Sequence, residues 1–439
     1  MTSSLVGSEM CIRDRAYYES HQRKFYGQLR LKRQFEIKNG AISFVVDTND
    51  AINDELLMRE LGKSTSNEMK TIIHTIQKEQ NQAIRDTKTK NLIIQGVAGS
   101  GKTSIALHRM AYLLYQKKEE LDASDILIVS PNQVFADYIA TVLPELGEEE
   151  LPQIDIVKLG TMFIEEKYQV SDRHDELKAA LENPNSKQAE NYKYKQSREF
   201  YELLQTHLEQ LKARLYSAEI KLDNYHISAA EIKRFVDQQS EKSLVELIQE
   251  ITKLLSERVS EISRESFAKT LEQLFKKRLN TIGSLSDYYH FLSANNLTHL
   301  SEKNSIRYSD LFPYLFFKLM IVGIKPNKQI QHLVIDEMQD YSLLQLVTLE
   351  RLFPCPKTVC GDIHQSLFAS DSNFLAEVQK NLPQSRLLKF QTSYRSSFEI
   401  MNFAKRFIDE EEIQPIQRHG KEVEVLESVS YTHLTLPTN

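Results

Sequence analysis

Residues 91–104 read NLIIQGVAGSGKTS: an apolar β-type run, a glycine-rich turn, and the first residues of a helix. A phosphate-binding loop needs that order. Gly96, Gly99 and Gly101 let the backbone turn with its N–H groups inward, Lys102 can reach the β and γ phosphates, and Thr103 offers a hydroxyl to magnesium. Ser100 and Ser104 complete the loop. The chain holds only 13 glycines in 439 residues, so this spacing is a specific signal. It points to ATP and Mg2+ as ligands.

Three further runs share the character of NLIIQ. DILIVS (125–130), HLVIDE (332–337) and KTVCGD (357–362) are short, β-rich and end in polar or glycine residues. Such runs are expected to form buried parallel strands with functional loops at their carboxyl ends. Helical stretches such as SIALHRMAYLLYQK lie between some of them. The fold class is therefore α/β, a layered fold built on a parallel sheet with a phosphate-binding loop. From about 167 to 305 the β-type runs give way to charged helix formers. There Phe200, Leu204, Leu208, Leu211 and Leu215 recur at helical spacing, as do Leu244, Ile248, Ile251, Leu255, Val259 and Ile262. A long α-helical insertion, packed as an antiparallel arm or bundle, is expected to interrupt the domain.

The formal net charge of −6 argues against a surface that grips nucleic acid by bulk charge, so any such contact belongs to a local groove. Three cysteines make neither a disulfide framework nor a zinc site, and they fit a reduced, cytoplasmic setting. No apolar run reaches the roughly 18 residues of a membrane span. The two ends, MTSSLVGSEMCIRDR and VSYTHLTLPTN, carry no period that continues into their neighbours. They resemble translated sequencing-adapter read-through, and residues 1–15 and 429–439 are set apart from the fold on that expectation.

A nucleotide site also needs a carboxylate for the metal and a base to activate water. Asp336 and Glu337, at the end of an apolar strand, fit those roles. The stretch DEMQD (336–340) resembles the Walker B signature of superfamily 1 helicases of the UvrD, Rep and PcrA group, in which the glutamine and second aspartate belong to the pattern. The resemblance continues in order. GDIHQS (361–366) is similar to motif III and implies that Gln365 senses the γ phosphate. TSYRSS (392–397) is similar to motif IV and implies that Tyr394 stacks on the base and Arg395 stabilises transition-state charge. TIQKEQNQAIR (75–85) resembles the Q motif, with Gln80 reading adenine. Ser130, Pro131 and Asn132 resemble motif Ia, which touches single-stranded nucleic acid.

The flanks narrow the resemblance. LRLKRQFEIKNG, DELLMRELG, EMKTIIHTIQKEQNQAIR, IIQGVAGSGKTSIALHRMAYLLY and SPNQVFADYIATVLPELGE together resemble the HelD-like, helicase-IV-like ATPases of Gram-positive bacteria. That family releases stalled RNA polymerase, which makes core RNA polymerase and single-stranded DNA the implied partners, and no membrane. Its helical region between motifs Ia and II is an insertion in the first RecA-like domain, and the wide separation of Lys102 from Asp336 agrees. The expected organisation is a remnant of an N-terminal region (16–60), the RecA-like domain in two parts (61–166 and 306–410), the insertion (167–305), and the start of a second RecA-like domain (411–428). The family's N-terminal coiled-coil arm and its motifs V and VI have no counterpart here. The chain is thus expected to be a middle fragment that binds ATP weakly and hydrolyses it slowly or not at all alone. Two alternatives stand beside this: a 3′ to 5′ DNA helicase acting on bare DNA, and a polymerase-binding module with a vestigial ATPase.

Overall fold

The computed structural model describes residues 80–117, 119–130, 151–222, 225–239, 242–260, 263–297, 304–366, 373–407, 414–415 and 418–425, and the backbone of four strands between 16 and 47. The terminal segments 1–15 and 429–439 lie outside the described residues, as do Pro131 and Asn132. The chain divides into two units, Met1–Asn81 and Gln82–Asn439. In the first, Ala16–Ser20 pairs antiparallel with Arg23–Gly27, and Arg33–Lys38 pairs antiparallel with Ala41–Asp47.

The second unit is built on six parallel strands: β1 (Asn91–Gly96), β2 (Ile126–Val129), β3 (Gln153–Ile154), β4 (His332–Ile335), β5 (Lys357–Gly361) and β6 (Ser385–Phe390). Their spatial order is β6-β1-β5-β4-β2-β3, every neighbouring pair parallel. The α/β expectation and its four strands are met. β1, β4 and β5 are buried along their whole length, as strands covered on both faces must be. Two edge strands, β3 and β6, escaped the sequence reading. β6 reads SRLLKF, and its half-exposed alternation with Arg386 and Lys389 carries none of the continuous apolar signal of a central strand.

Register places the functional loops side by side. Gly361 pairs with Gln95, and Ile335 with both Val359 and Val129. The chain therefore leaves β1, β5, β4 and β2 at neighbouring points on one rim of the sheet.

The region 167–305 is mainly helical, and its helices start where their caps dictate. Ser186, Ser197 and Ser228 accept N–H groups of the first turns they precede, while Ser243 with Glu246 and Ser284 with Asp287 form capping boxes. Helix Arg198–Arg214 buries Phe200, Leu204, Leu208 and Leu211, the stripe read from the sequence. The second stripe overshoots. Helix Leu244–Ser256 ends before Val259, which is buried from the turn that follows, and Ile262 lies outside the described residues. Short strands also occur here: Ile220–Leu222 pairs with Tyr225–Ile227, and Gln169–Val170 with Ser305–Ile306. The latter ladder joins the two ends of the region.

The helical region is not held off as a separate arm. Phe200, Leu204 and Leu247 belong to one hydrophobic core with Ile93, Val129, Leu333 and Leu346 of the α/β layers. Inside it sits an ion pair, Lys195 Nζ to Asp310 Oδ1 at 2.6 Å, with Tyr288 donating to the same oxygen at 2.9 Å.

Candidate nucleotide site

The loop after β1 has the backbone that its glycines permit. Gly99 and Gly101 have φ of 75° and 81°, and Gly101 caps helix Lys102–Gln116. A Cβ on Gly99 would lie 2.6 Å from Arg395 Cβ, so only glycine lets the loop approach that residue. Close approach is matched by bonds: Tyr394 N–H donates to Gly99 O at 2.9 Å, Ser393 Oγ to Ala98 O at 2.7 Å, and Val97 N–H to Phe390 O at 3.1 Å. The segment after β6 thus clamps the loop. Tyr394 is half-buried and Arg395 exposed, and Arg395 lines an open cleft of about 570 Å3 with Arg418, His419 and Lys421. Glu399 braces that cleft by accepting Gly420 N–H and pairing with His419. The two contacts hold its carboxyl down at about 2.

Lys102, Thr103 and Ser104 open the helix, and Lys102 is buried with its Nζ 3.1 Å from Val97 O. Across from them stands Asp336, at the end of β4 and only 4% exposed. Burial, and then the charge of adjacent Glu337, push its carboxyl up to about 7. A backbone bond at Glu337, the Lys102 charge and the Thr103 hydroxyl oppose that rise. Asp336 Oδ1 and Ser100 Oγ are buried without a hydrogen-bond partner. Beside a hydroxyl and a lysine, the orphaned carboxylate oxygen suits a magnesium ion and the orphaned hydroxyl can donate to a phosphate oxygen. Magnesium typically takes one or two carboxylates and keeps water and phosphate for its other positions, so Asp336 and Thr103 suffice from the protein side.

Glu337 has φ 53° and ψ 51°, the left-handed region that a non-glycine residue enters only when held there. Its holder is Gln339. Gln339 Nε2 donates to Glu337 Oε2 at 2.7 Å, while its Oε1 accepts Asp362 N–H at 2.8 Å. The glutamine of DEMQD therefore ties the turn after β4 to the turn after β5. Asp362, itself buried, is the hub of that second turn. Gln95 Nε2 reaches its Oδ1 at 3.4 Å, and Gln365 Nε2 its Oδ2 at 2.8 Å. Gly361 makes the approach possible, since a Cβ there would stand 2.4 Å from Met338 Cγ and 2.5 Å from Gln339 Oε1.

One rim of the sheet thus gathers Gly96, Gly99, Ser100, Gly101, Lys102, Thr103, Ser104, Asp336, Glu337, Gln365, Tyr394 and Arg395. Residues 76–380 match the family model of the UvrD/REP helicase N-terminal domain. The chain belongs to that family. No match was found among curated proteins. Membership makes the domain one of an ATP-dependent, helicase-type nucleic-acid motor.

Gln80 falls in the first unit, Met1–Asn81, and Ser130 is buried just after β2, where its N–H donates to Ile154 O at 3.3 Å. Gln95, Asp362 and Ser393 were missed as site residues. Gln95 did leave a signal: a buried amide directly after the apolar run Leu92–Ile94, a position that demands a polar partner.

Proposed function

We propose that the cleft binds ATP with Mg2+ and hydrolyses it, and that the parent motor is HelD-like, freeing RNA polymerase from nucleic acid. The observation that carries the ATPase reading is the Gln339 bridge, which holds a strained Glu337 beside the buried Asp336–Thr103–Lys102 cluster. In this reading Lys102 and the N–H groups of 96–101 hold the phosphates, and Asp336 and Thr103 hold magnesium. Bound magnesium would supply charge neutralisation at the β and γ oxygens. Glu337 takes the proton of the attacking water, Gln365 senses the γ phosphate through the Asp362 hub, Tyr394 stacks on the base and Arg395 answers transition-state charge. Gln80 reads adenine, and Ser130, Pro131 and Asn132 contact single-stranded DNA.

The HelD-like reading is supported by the wording of the flanking segments and by the helical insertion, whose ends meet at Gln169–Val170 and Ser305–Ile306. It takes the RecA-like domain as 61–166 and 306–410, with the insertion at 167–305. The test is release of core RNA polymerase from DNA by the complete protein with ATP, repeated with Glu337→Gln. Release that requires ATP and fails in the variant supports the proposal. Strand separation without polymerase would favour a 3′ to 5′ helicase on bare DNA, and release indifferent to Glu337→Gln would mean a polymerase-binding module with a vestigial ATPase.

A further inference from the structure

The second aspartate of DEMQD engages the helical region. Asp340 Oδ2 pairs with Arg173 at 3.2 Å, and the Arg173 guanidinium lies 5.8 Å from the centre of the Tyr308 ring. Arg173 is the first residue of helix Arg173–Glu182 in the insertion, just after its cap Asp172. A cation at a helix N-terminus is opposed by the helix dipole, so helix stability does not explain an arginine there. Asp340 does. The helix that carries Arg173 is in turn fixed to its surroundings. Glu176 accepts the N–H groups of Tyr308 at 2.6 Å and Ser309 at 3.3 Å, together with the Ser171 hydroxyl.

Arg173 and Asp340 both line a cleft of about 290 Å3 between the insertion and the turns after β4 and β5. A second pair, Arg198 with Glu377 at 3.1 Å, spans the same cleft, again with the arginine from the insertion and the acid from the α/β core. All four side chains are part-exposed, and such pairs contribute little to stability. They are suited to rearranging rather than to cementing. Asp340 shares its single turn, Met338–Asp340, with Gln339, whose amide touches Glu337 and the Asp362 N–H. Gln339 gives a shift of Glu337 or of the 362–365 turn a direct route to the adjacent Asp340.

We propose that the Arg173–Asp340 pair couples the nucleotide site to the helical insertion, so that occupancy of the phosphate loop is registered on helix Arg173–Glu182. The coupling rests on the reading of the cleft as an ATP site. It is reciprocal by linkage: whatever binds the insertion and disturbs Arg173 alters nucleotide affinity by the same factor.

Hydrogen exchange by mass spectrometry on this chain, with and without Mg2+ and a non-hydrolysable ATP analogue, tests it. In the wild type the analogue should slow exchange in 96–104 and change it by about fivefold in the first turn of 173–182. Arg173→Gln should keep the response in 96–104 and lose the one in 173–182. Arg173→Lys, which keeps the charge, should restore part of it. Asp340→Asn should behave as Arg173→Gln does, and the double variant should show no further loss. A response in 96–104 without any in 173–182, or a full response in both arginine and aspartate variants, overturns the coupling. Silence in 96–104 itself would instead remove the ATP-site reading and the coupling with it. Far-UV circular dichroism verifies that each variant is folded, and Asp340→Asn stands in if Arg173→Gln is not.

Discussion

Adding one carbon at Gly361 should separate the two turns that Gln339 joins. Gly361 is not among the described glycines with positive φ, so Gly361→Ala carries no left-handed strain. At a spacious site such a change stabilises a protein by roughly 0.4–1 kcal/mol, because the unfolded chain loses freedom. Here the new methyl would meet Met338 Cγ at 2.4 Å, Gln339 Oε1 at 2.5 Å and Met338 N at 2.7 Å. Met338 N belongs to the backbone of a short turn and cannot swing aside, and the Met338 side chain is fully buried, which limits how far its Cγ can move. Overpacking of this kind costs about 1–3 kcal/mol, and stretching the Gln339–Asp362 N–H bond adds about 1 kcal/mol. After the unfolded-state gain, the net loss is about 2 kcal/mol, close to a thirtyfold change in the folding ratio. The chain has no tryptophan, so urea unfolding is followed by far-UV circular dichroism. Gln339→Leu is the companion, removing both hydrogen bonds without adding a backbone clash. An unchanged or raised midpoint for Gly361→Ala would refute the close approach of the turns after β4 and β5, and with it the bridge that positions Glu337.

Lys102→Ala should abolish binding of Mg2+–ATP, because the phosphates lose their cationic partner; calorimetric titration showing retained affinity would mean the loop does not hold phosphate. Lys195→Met leaves the Asp310 carboxylate buried and unpaired and should destabilise the chain by about 3–5 kcal/mol. Adding Asp310→Leu should recover much of that in urea unfolding, and no recovery would argue against the pair. His332 is fully enclosed, and burial, aided by Arg109 and Lys357, lowers its imidazole to about 3. The imidazole Nε2 lies 3.0 Å from Thr358 Oγ1, which also accepts the Arg109 Nε–H at 3.0 Å, and the lowered value keeps the ring neutral in the folded chain. Its unfolded value lies near 6.5, so the unfolded chain binds the extra proton between about pH 6.5 and 3. Stability should fall as pH drops through that window, by at most roughly 5 kcal/mol. His332→Leu should flatten this part of the pH profile, and an unchanged slope would show that another group sets it.

Much of the site was legible because its chemistry is local. A phosphate loop must be glycine-rich and contiguous, so Gly96 to Ser104 declare themselves in one line of sequence. Central strands buried on both faces read as continuous apolar runs, which is why β1, β2, β4 and β5 could be placed. β3 and β6 could not, since an edge strand with one wet face shares its alternating pattern with loops and short helices. The stripe running past Ser256 to Val259 shows the complementary limit: periodicity reports which side chains are buried, not whether the backbone between them is still helical.

By itself the sequence determined the residue types of the cleft, their order, and the α/β class, because hydrophobic period and turn chemistry act over a few residues. Tertiary structure alone decided who holds whom. Strand β5, entering between β1 and β4, brings Asp362 under both Gln95 and Gln339, partners separated from it by 267 and 23 positions. The same packing joins the helical region 167–305 to the core of the sheet and sets Arg173 against Asp340. Long-range pairings of this kind leave no periodic trace, because a hydrogen bond or ion pair depends on where the sheet order puts two residues and not on the residues beside them.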